Sequence, residues 1–437
     1  MQKIELNFTD EEITSWGGLS ILKKMIDLSG YRNLLESLPL PLQGSNRGYD
    51  PVQLFIQFMC SVWCGANRYA HLDIQRFDTT FQRLFGWERM PEHKAFQRYF
   101  NKFDMHTTNL VFGAQYRWFF DHLYFDNFTM DIDSSVLTRY GEQEGSKKGY
   151  NKHKPGRNSQ HPIIAFIADA EMVANFWLRS GDAHTANNFK AFLEETLSFL
   201  EKKKIGLLRL DSGFYSKDIF DYLEQRETPI SYITAVPMYV AVQRKIAAQR
   251  TWLHIDEGLE ITEFMYTGKD WLMPRRMIGV RQKISKRPKA VGKQLSLFTD
   301  EIELNGYRYT CYVTDLTLPP AEVWRLYRGR ANCENRIKEL KYDYGLDKMN
   351  EQSFDATEAT LILMTIAYNF MSLFKQLVIG GKVRNRLSTL RYKILAIPAT
   401  IENCGDKIIV NMAIQINRRA WIRKLWKKTN RIYSPSG

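Results

Sequence analysis

The feature that most limits what this chain can fold into is a pair of strand-like segments, each ending in an aspartate. In Phe128-Thr129-Met130-Asp131-Ile132-Asp133, apolar and polar residues alternate. That is the period of a β-strand with one buried face, and it gathers Thr129, Asp131 and Asp133 on the other. Ile205–Leu210 is instead a short apolar run that stops at Asp211-Ser212-Gly213. Such a run suits a strand buried on both faces, followed by a turn into a helix that Ser216 is positioned to cap.

Around these two, residues 161–168 and 172–179 read as strands, 185–203 as a helix and 230–236 as a further strand. The order strand, strand, strand, helix, strand, helix, strand predicts an α/β fold with an RNase H-like core. Residues 1–120 have a helical texture: apolar positions recur every three or four residues in 19–26, 51–62 and 96–103. The core's first part is expected over 121–236. From 237 to 318 the pattern is broken, strand-rich and basic, as expected of an inserted β-rich subdomain. Arg275, Arg276, Arg281, Lys283, Lys286, Arg287, Lys289 and Lys293 fall within nineteen residues that contain no acid. Residues 319–437 are expected to complete the core. They open with a long helix over 320–344, begun at Pro319-Pro320, where a missing N–H costs least, and stopped at Gly345. They close on a tail in which Arg418, Arg419, Arg423, Lys424, Lys427, Lys428 and Arg431 interleave with Trp421 and Trp426.

The excess of basic residues, a formal +13 with a pI near 9.3, points to a polyanionic partner, most often nucleic acid. Ribosomal, RNA-modifying and membrane-surface proteins share this bias. The five cysteines are scattered, and no Cys or His pair at zinc spacing accompanies Cys60 and Cys64. A reducing cytoplasm fits them best. The first ten residues lack the basic and apolar regions of a signal peptide. In the most apolar run only sixteen residues separate Glu358 from Lys375, short of the roughly 20 that span a bilayer. It reads as a buried helix, with no membrane partner expected.

Cutting a phosphodiester requires an activated water or hydroxyl and relief of charge on the leaving oxygen. Two divalent ions about 3.5–4 Å apart provide both, and carboxylates are suitable ligands for Mg²⁺ or Mn²⁺. Asp133 and Asp211 both end strand-like runs, where open α/β sheets put their ligand sites. An aspartate at a strand end is, by itself, more often a turn residue. At about 100° per residue along the expected helix, Tyr327, Arg330, Glu334 and Lys341 fall within about 60° of one face, with Lys338 beside them. A solvated helix face with ordinary charge pairs has the same pattern.

The segment Tyr327-Arg328-Gly329-Arg330-Ala331-Asn332-Cys333-Glu334, with Lys341, resembles the Y-(2)-R-(3)-E-(6)-K signature of IS4-like DDE transposases at all four positions. Asp133-Ser134-Ser135-Val136-Leu137-Thr138-Arg139-Tyr140-Gly141 and Lys148-Gly149-Tyr150-Asn151 resemble the first-Asp block of the IS1380 branch. Arg209-Leu210-Asp211-Ser212-Gly213-Phe214 is similar to the second-Asp block. The resemblance covers roughly residues 50–430. It implies that Asp133, Asp211 and Glu334 are catalytic and hold two Mg²⁺ ions, with Mn²⁺ as a substitute. It also implies that Tyr327, Arg330 and Lys341 contact DNA phosphates, with Lys338 extending the basic row. Asp131 shares a strand face with Asp133 and is the alternative first ligand; the family's Ser or Thr after its first Asp favours Asp133. In related transposases an aromatic of the insertion stacks on a flipped base, and Trp271 and Trp252 are the candidates.

The expected function is therefore cut-and-paste transposition of a bacterial insertion sequence. The partners are the double-stranded transposon ends and target DNA, held by a homodimer, with the N-terminal helical region binding the ends. The rivals are a non-catalytic regulator derived from a transposase and an RNase H-like nuclease that only hydrolyses.

Overall fold

The aspartate-ending segments become neighbouring parallel strands. In the computed structural model, which describes residues 3–45, 47–151, 154–284, 302–304, 306–380 and 385–432, β1 is Phe128–Ser134, β2 Ile163–Ile167, β3 Met172–Trp177, β4 Ile205–Leu210 and β5 Tyr232–Ala235. The sheet order β3-β2-β1-β4-β5 has β1, β2 and β3 antiparallel in sequence, while β4 runs parallel to both β1 and β5. The helices Phe189–Leu200 and Lys217–Glu224 make the two crossovers. This is the expected α/β arrangement.

The chain divides into two compact units: Met1–Tyr124 with Arg139–Gly145 and Ile337–Gly437, and Phe125–Thr138 with Ser146–Arg336. The second unit holds the sheet. The strands following β5 do not form a sheet of their own. They are β6 (Leu253–Asp256), β7 (Leu259–Tyr266), β8 (Arg275–Lys283), β9 (Ile302–Leu304) and β10 (Tyr307–Thr314). β10 pairs antiparallel with β5, and β8, β7 and β6 follow outward, giving ten strands among the described residues with β9 on β10. The extension is sealed by Ile233, Ala235, Ile261, Ile278, Tyr312 and Val323, all buried in one apolar cluster. Of the basic run, Lys286, Arg287, Lys289 and Lys293 lie outside the described residues, as does Lys152 of the loop after β1.

In the helical unit the expected buried helix spans Phe354–Phe374 and is buried nearly throughout. With the turn that continues it to Ile379 it is long and apolar enough to cross a membrane, yet most of it is covered by protein. The polar residues that interrupt its hydropathy have partners: Thr360 Oγ1 lies 2.6 Å from the Tyr69 hydroxyl, and Thr365 Oγ1 lies 2.7 Å from that of Tyr116. Trp63 donates its indole N–H to the Ala367 carbonyl at 3.0 Å. Aromatic residues with one polar atom serve here as core packing and hydrogen-bond partners at once.

β1 departs from the simple alternation argument. Its polar face is not solvated: Asp131 is fully buried, and Asp133 nearly so. The register sets Asp131 opposite Arg209 of β4. The two meet as a bidentate pair, Arg209 Nε to Oδ1 at 2.6 Å and Nη2 to Oδ2 at 2.9 Å. An isolated charge could not be buried here; two matched charges with parallel hydrogen bonds can. Asp131→Ala should therefore leave a buried guanidinium without its counter-charge and cost about 3–5 kcal/mol. The measurement is the urea midpoint of the variant against wild type, and an unchanged midpoint would refute the role given to this pair.

Candidate active site

Because Asp131 faces Arg209, the strand period brings Asp133 and Asp211, two positions further along, to the same face side by side. Each carboxylate is turned by its own local bond. Asp133 Oδ1 accepts the Ser134 N–H at 2.8 Å, and Asp211 Oδ1 accepts the Gly213 N–H at 3.0 Å. The Asp211 bond is the cap of that turn; Ser216 stands at the start of the next helix but makes no side-chain capping bond. The second oxygens face one guanidinium: Arg330 Nη2 lies 2.9 Å from Asp133 Oδ2 and 3.9 Å from Asp211 Oδ2.

The segment carrying Arg330 is not one continuous helix. It forms Pro320–Arg328 and Ala331–Tyr342, with Gly329 and Arg330 between them. There the backbone bonds tighten to three-residue spacing: Gly329 to Leu326, Arg330 to Tyr327 and Cys333 to Arg330. The cause lies on the sheet. Arg209, already held by Asp131, donates Nη1 to the Leu326 carbonyl at 2.7 Å, and a Cβ on Gly329 would lie 2.3 Å from that nitrogen. Only a residue without a side chain passes so close. The helical-wheel alignment of Tyr327 with Glu334 and Lys341 thus crosses an interruption that the spacing alone does not reveal.

Tyr327 donates its hydroxyl to the Leu210 carbonyl at 3.2 Å and packs on Tyr312, so it braces the strand end that presents Asp211. Glu334, half-buried, lies one turn beyond Arg330. Both line a cavity of about 440 Å³ with Tyr312, Trp324, Tyr327 and Arg328. Among the described residues no three acidic, histidine or cysteine side chains form a ready ion-binding cluster. Asp133 and Asp211 converge on Arg330, and Glu334 does not join them. The fit to a divalent cation is nonetheless good at the pair: two carboxylates with an oxygen each directed at a shared positive charge are the donor chemistry such ions take. Burial raises the Asp133 carboxyl to about 6, Arg330 opposes that rise, and the neighbouring Asp211 adds to it.

Lys338 is exposed and Lys341 half-buried; both belong to the helical unit. Trp271 is half-buried among Tyr215, Phe220 and Tyr266, with the Arg275 guanidinium 4.7 Å from its ring. Trp252 packs on Tyr309 and under Arg281. Much of the described basic run is already neutralised: Arg275 pairs with Asp221 and Glu224, Arg276 with Glu263, and Arg281 with Glu260.

Three arginines central to this arrangement were not singled out from the sequence. Arg209 had a signal, a lone charge in an otherwise apolar strand, which obliges a buried partner. Arg336 donates to the Ala168 carbonyl and lies 3.9 Å from Asp131. Arg179 gathers the carbonyls of His161, His184, Thr185 and Asn187. It thereby fixes the loop whose Thr185 hydroxyl lies 3.3 Å from that of Ser134.

The sequence matches the protein-family model described as Transposase DDE domain group 1 over residues 1–433. No curated protein matches it. Among solved structures, the chain is similar to the piggyBac transposase in its synaptic complex with hairpin DNA, at 11% identity and a TM-score of 0.48, with 88% of this chain and 81% of that one covered.

Gly329→Ala tests the geometry of the interrupted helix. The added methyl group should displace Arg209 or the turn, at about 1–3 kcal/mol of stability. Circular dichroism should remain that of a folded chain while the thermal midpoint falls; an unaltered midpoint would contradict the close approach.

Proposed function

Because the chain belongs to the transposase DDE domain group 1 family, we propose that it is a cut-and-paste DNA transposase of the IS4-like group, in its IS1380 branch, with Asp133, Asp211 and Glu334 as its catalytic acids. The observation that carries this reading is the meeting of Asp133 and Asp211, from adjacent parallel strand ends, around a single buried cation. A protein that only bound DNA would have no use for two carboxylates directed at one point, since they repel both each other and phosphate.

In this reading Asp133 and Asp211 hold the ions, and Glu334 contributes from the helix that follows Arg330. The ions are two Mg²⁺, with Mn²⁺ as a substitute. When bound they supply charge neutralisation at the scissile phosphate and activation of the nucleophile. The protein's own part is positioning. The Asp131–Arg209 pair and the Tyr327 hydroxyl keep the strand ends rigid, and the Ser134 and Gly213 amides orient the carboxylates. Arg330, Lys338 and Lys341 serve the phosphates, and residues 1–120 recognise the transposon ends. Hydrolysis at each end frees a 3′-OH, which then attacks target DNA. Because both ends must be held together, the working form is a homodimer on two DNA ends, in the cytoplasm of a bacterium.

The test is cleavage of a labelled duplex carrying the element's own end, in Mg²⁺. Asp133→Asn, Asp211→Asn and Glu334→Gln should each lower the cleavage rate by about three orders of magnitude or more while duplex binding persists. Cleavage by the Glu334→Gln variant at the wild-type rate would remove the third acid from the site. Binding without cleavage by every form, wild type included, would favour the regulator.

A second expectation concerns pH. The ion takes the deprotonated carboxylate, and Asp133 is held up at about 6. Asp133-dependent Mn²⁺ affinity should therefore fall about tenfold per pH unit below about 6 and level off above it. Calorimetric titration between pH 5 and 8 reads this directly; a fall beginning only near pH 4 would contradict it.

A further inference from the structure

Arg330 is 95% buried, yet among the described residues neither its Nε nor its Nη2 has a hydrogen-bond partner. Nη2 meets Asp133 and Asp211 through charge alone, at 2.9 and 3.9 Å. Burying a guanidinium this way forgoes most of what makes the group useful, its rigid fork of donors. Asp131, two residues from Asp133, is paired quite differently, with two aligned hydrogen bonds from Arg209. The contrast is between a structural pair and a provisional one.

Two buried carboxylates side by side need a positive charge between them. Arg330 supplies it from where a divalent ion would have to sit to use both Oδ2 atoms. The cavity of about 440 Å³ beside it, which Arg330 itself lines, gives the side chain somewhere to go. We infer that Arg330 is a cationic placeholder: it neutralises the Asp133–Asp211 pair when no ion is bound, competes with the ion for it, and on withdrawal presents its unused donors to a phosphate oxygen. The inference rests on the reading of Asp133 and Asp211 as ion ligands. It makes ion loading and phosphate binding favour each other, since the ion takes the place of Arg330 at the carboxylates and the phosphate takes the place of the carboxylates at Arg330.

The experiment is calorimetric titration of Mn²⁺ into the full chain without DNA, comparing wild type, Arg330→Gln, Arg330→Lys and the double variant Asp133→Asn with Arg330→Gln. Arg330→Gln should bind Mn²⁺ at least tenfold more tightly than wild type, Arg330→Lys should show a smaller gain, and the double variant should lose the gain. Mn²⁺ should also raise the thermal midpoint of Arg330→Gln by more than that of wild type. If Arg330→Gln folds only with Mn²⁺ present, the same competition is being read through folding. If it does not fold under either condition, the gain in Arg330→Lys carries the test. Equal or weaker Mn²⁺ binding on removal of Arg330, with binding still dependent on Asp133, would overturn the placeholder and leave the ion site standing. Loss of Asp133-dependent binding in every form would overturn both.

Discussion

The arrangement around the site depends on one buried ion pair, that of Asp131 with Arg209. It joins two neighbouring parallel strands by their side chains as well as their backbones. The same guanidinium reaches up to the Leu326 carbonyl, where the covering helix is interrupted, and a Cβ at 329 would have to displace it. Because the helix is interrupted there, Arg330 turns down onto Asp133 and Asp211. A single arginine thus determines where the next charged layer lies. Since the pair is nearly inaccessible to solvent, its strength is little affected by salt.

Charge on this face is layered. Nearest the middle of β1 the acids are matched with good geometry. At the strand ends they outnumber their partner, and the mismatch is where chemistry becomes possible. Burial and the second carboxylate raise Asp133 to about 6 against the opposing pull of Arg330, the kind of perturbed carboxyl that clusters at functional sites. The surrounding elements carry no such tension: Arg275, Arg276 and Arg281 each have acids at close range. The charge of these three arginines is therefore already balanced within the protein.

The order of elements along the chain was legible because the alternation of β1 and the apolar run of β4 are local signals; β4 stops at Leu210, just before Asp211, and β1 runs one residue past Asp133 to Ser134. The joining of β10 to β5 was not legible. A pairing between distant segments leaves no periodic mark, so a continuation of the sheet and a separate subdomain look alike in sequence. The interruption at Gly329 was hidden for a related reason: helix spacing continues across it, and its cause, Arg209, lies more than a hundred residues upstream. Arg209 itself gave a warning, since a single charge within Ile205–Leu210 has to be answered somewhere. The bonds of Thr360 and Thr365 to tyrosines show how an apolar helix accommodates polar residues inside protein.

The polar face of β1 has a consequence for how the chain is made. Asp131 and Asp133 leave the ribosome long before Arg330 and Arg336, which lie against them, a delay of roughly two hundred residues, or about 10–40 s at ordinary elongation rates. Until then Asp131 has only Arg209, and Asp133 has no guanidinium above it. Removing the segment that carries Arg330 from the fold would uncover the face of the sheet on which Arg330 meets Asp133 and Asp211. A chain ending before Arg330 would carry Asp133 and Asp211 without the guanidinium that lies between their carboxylates.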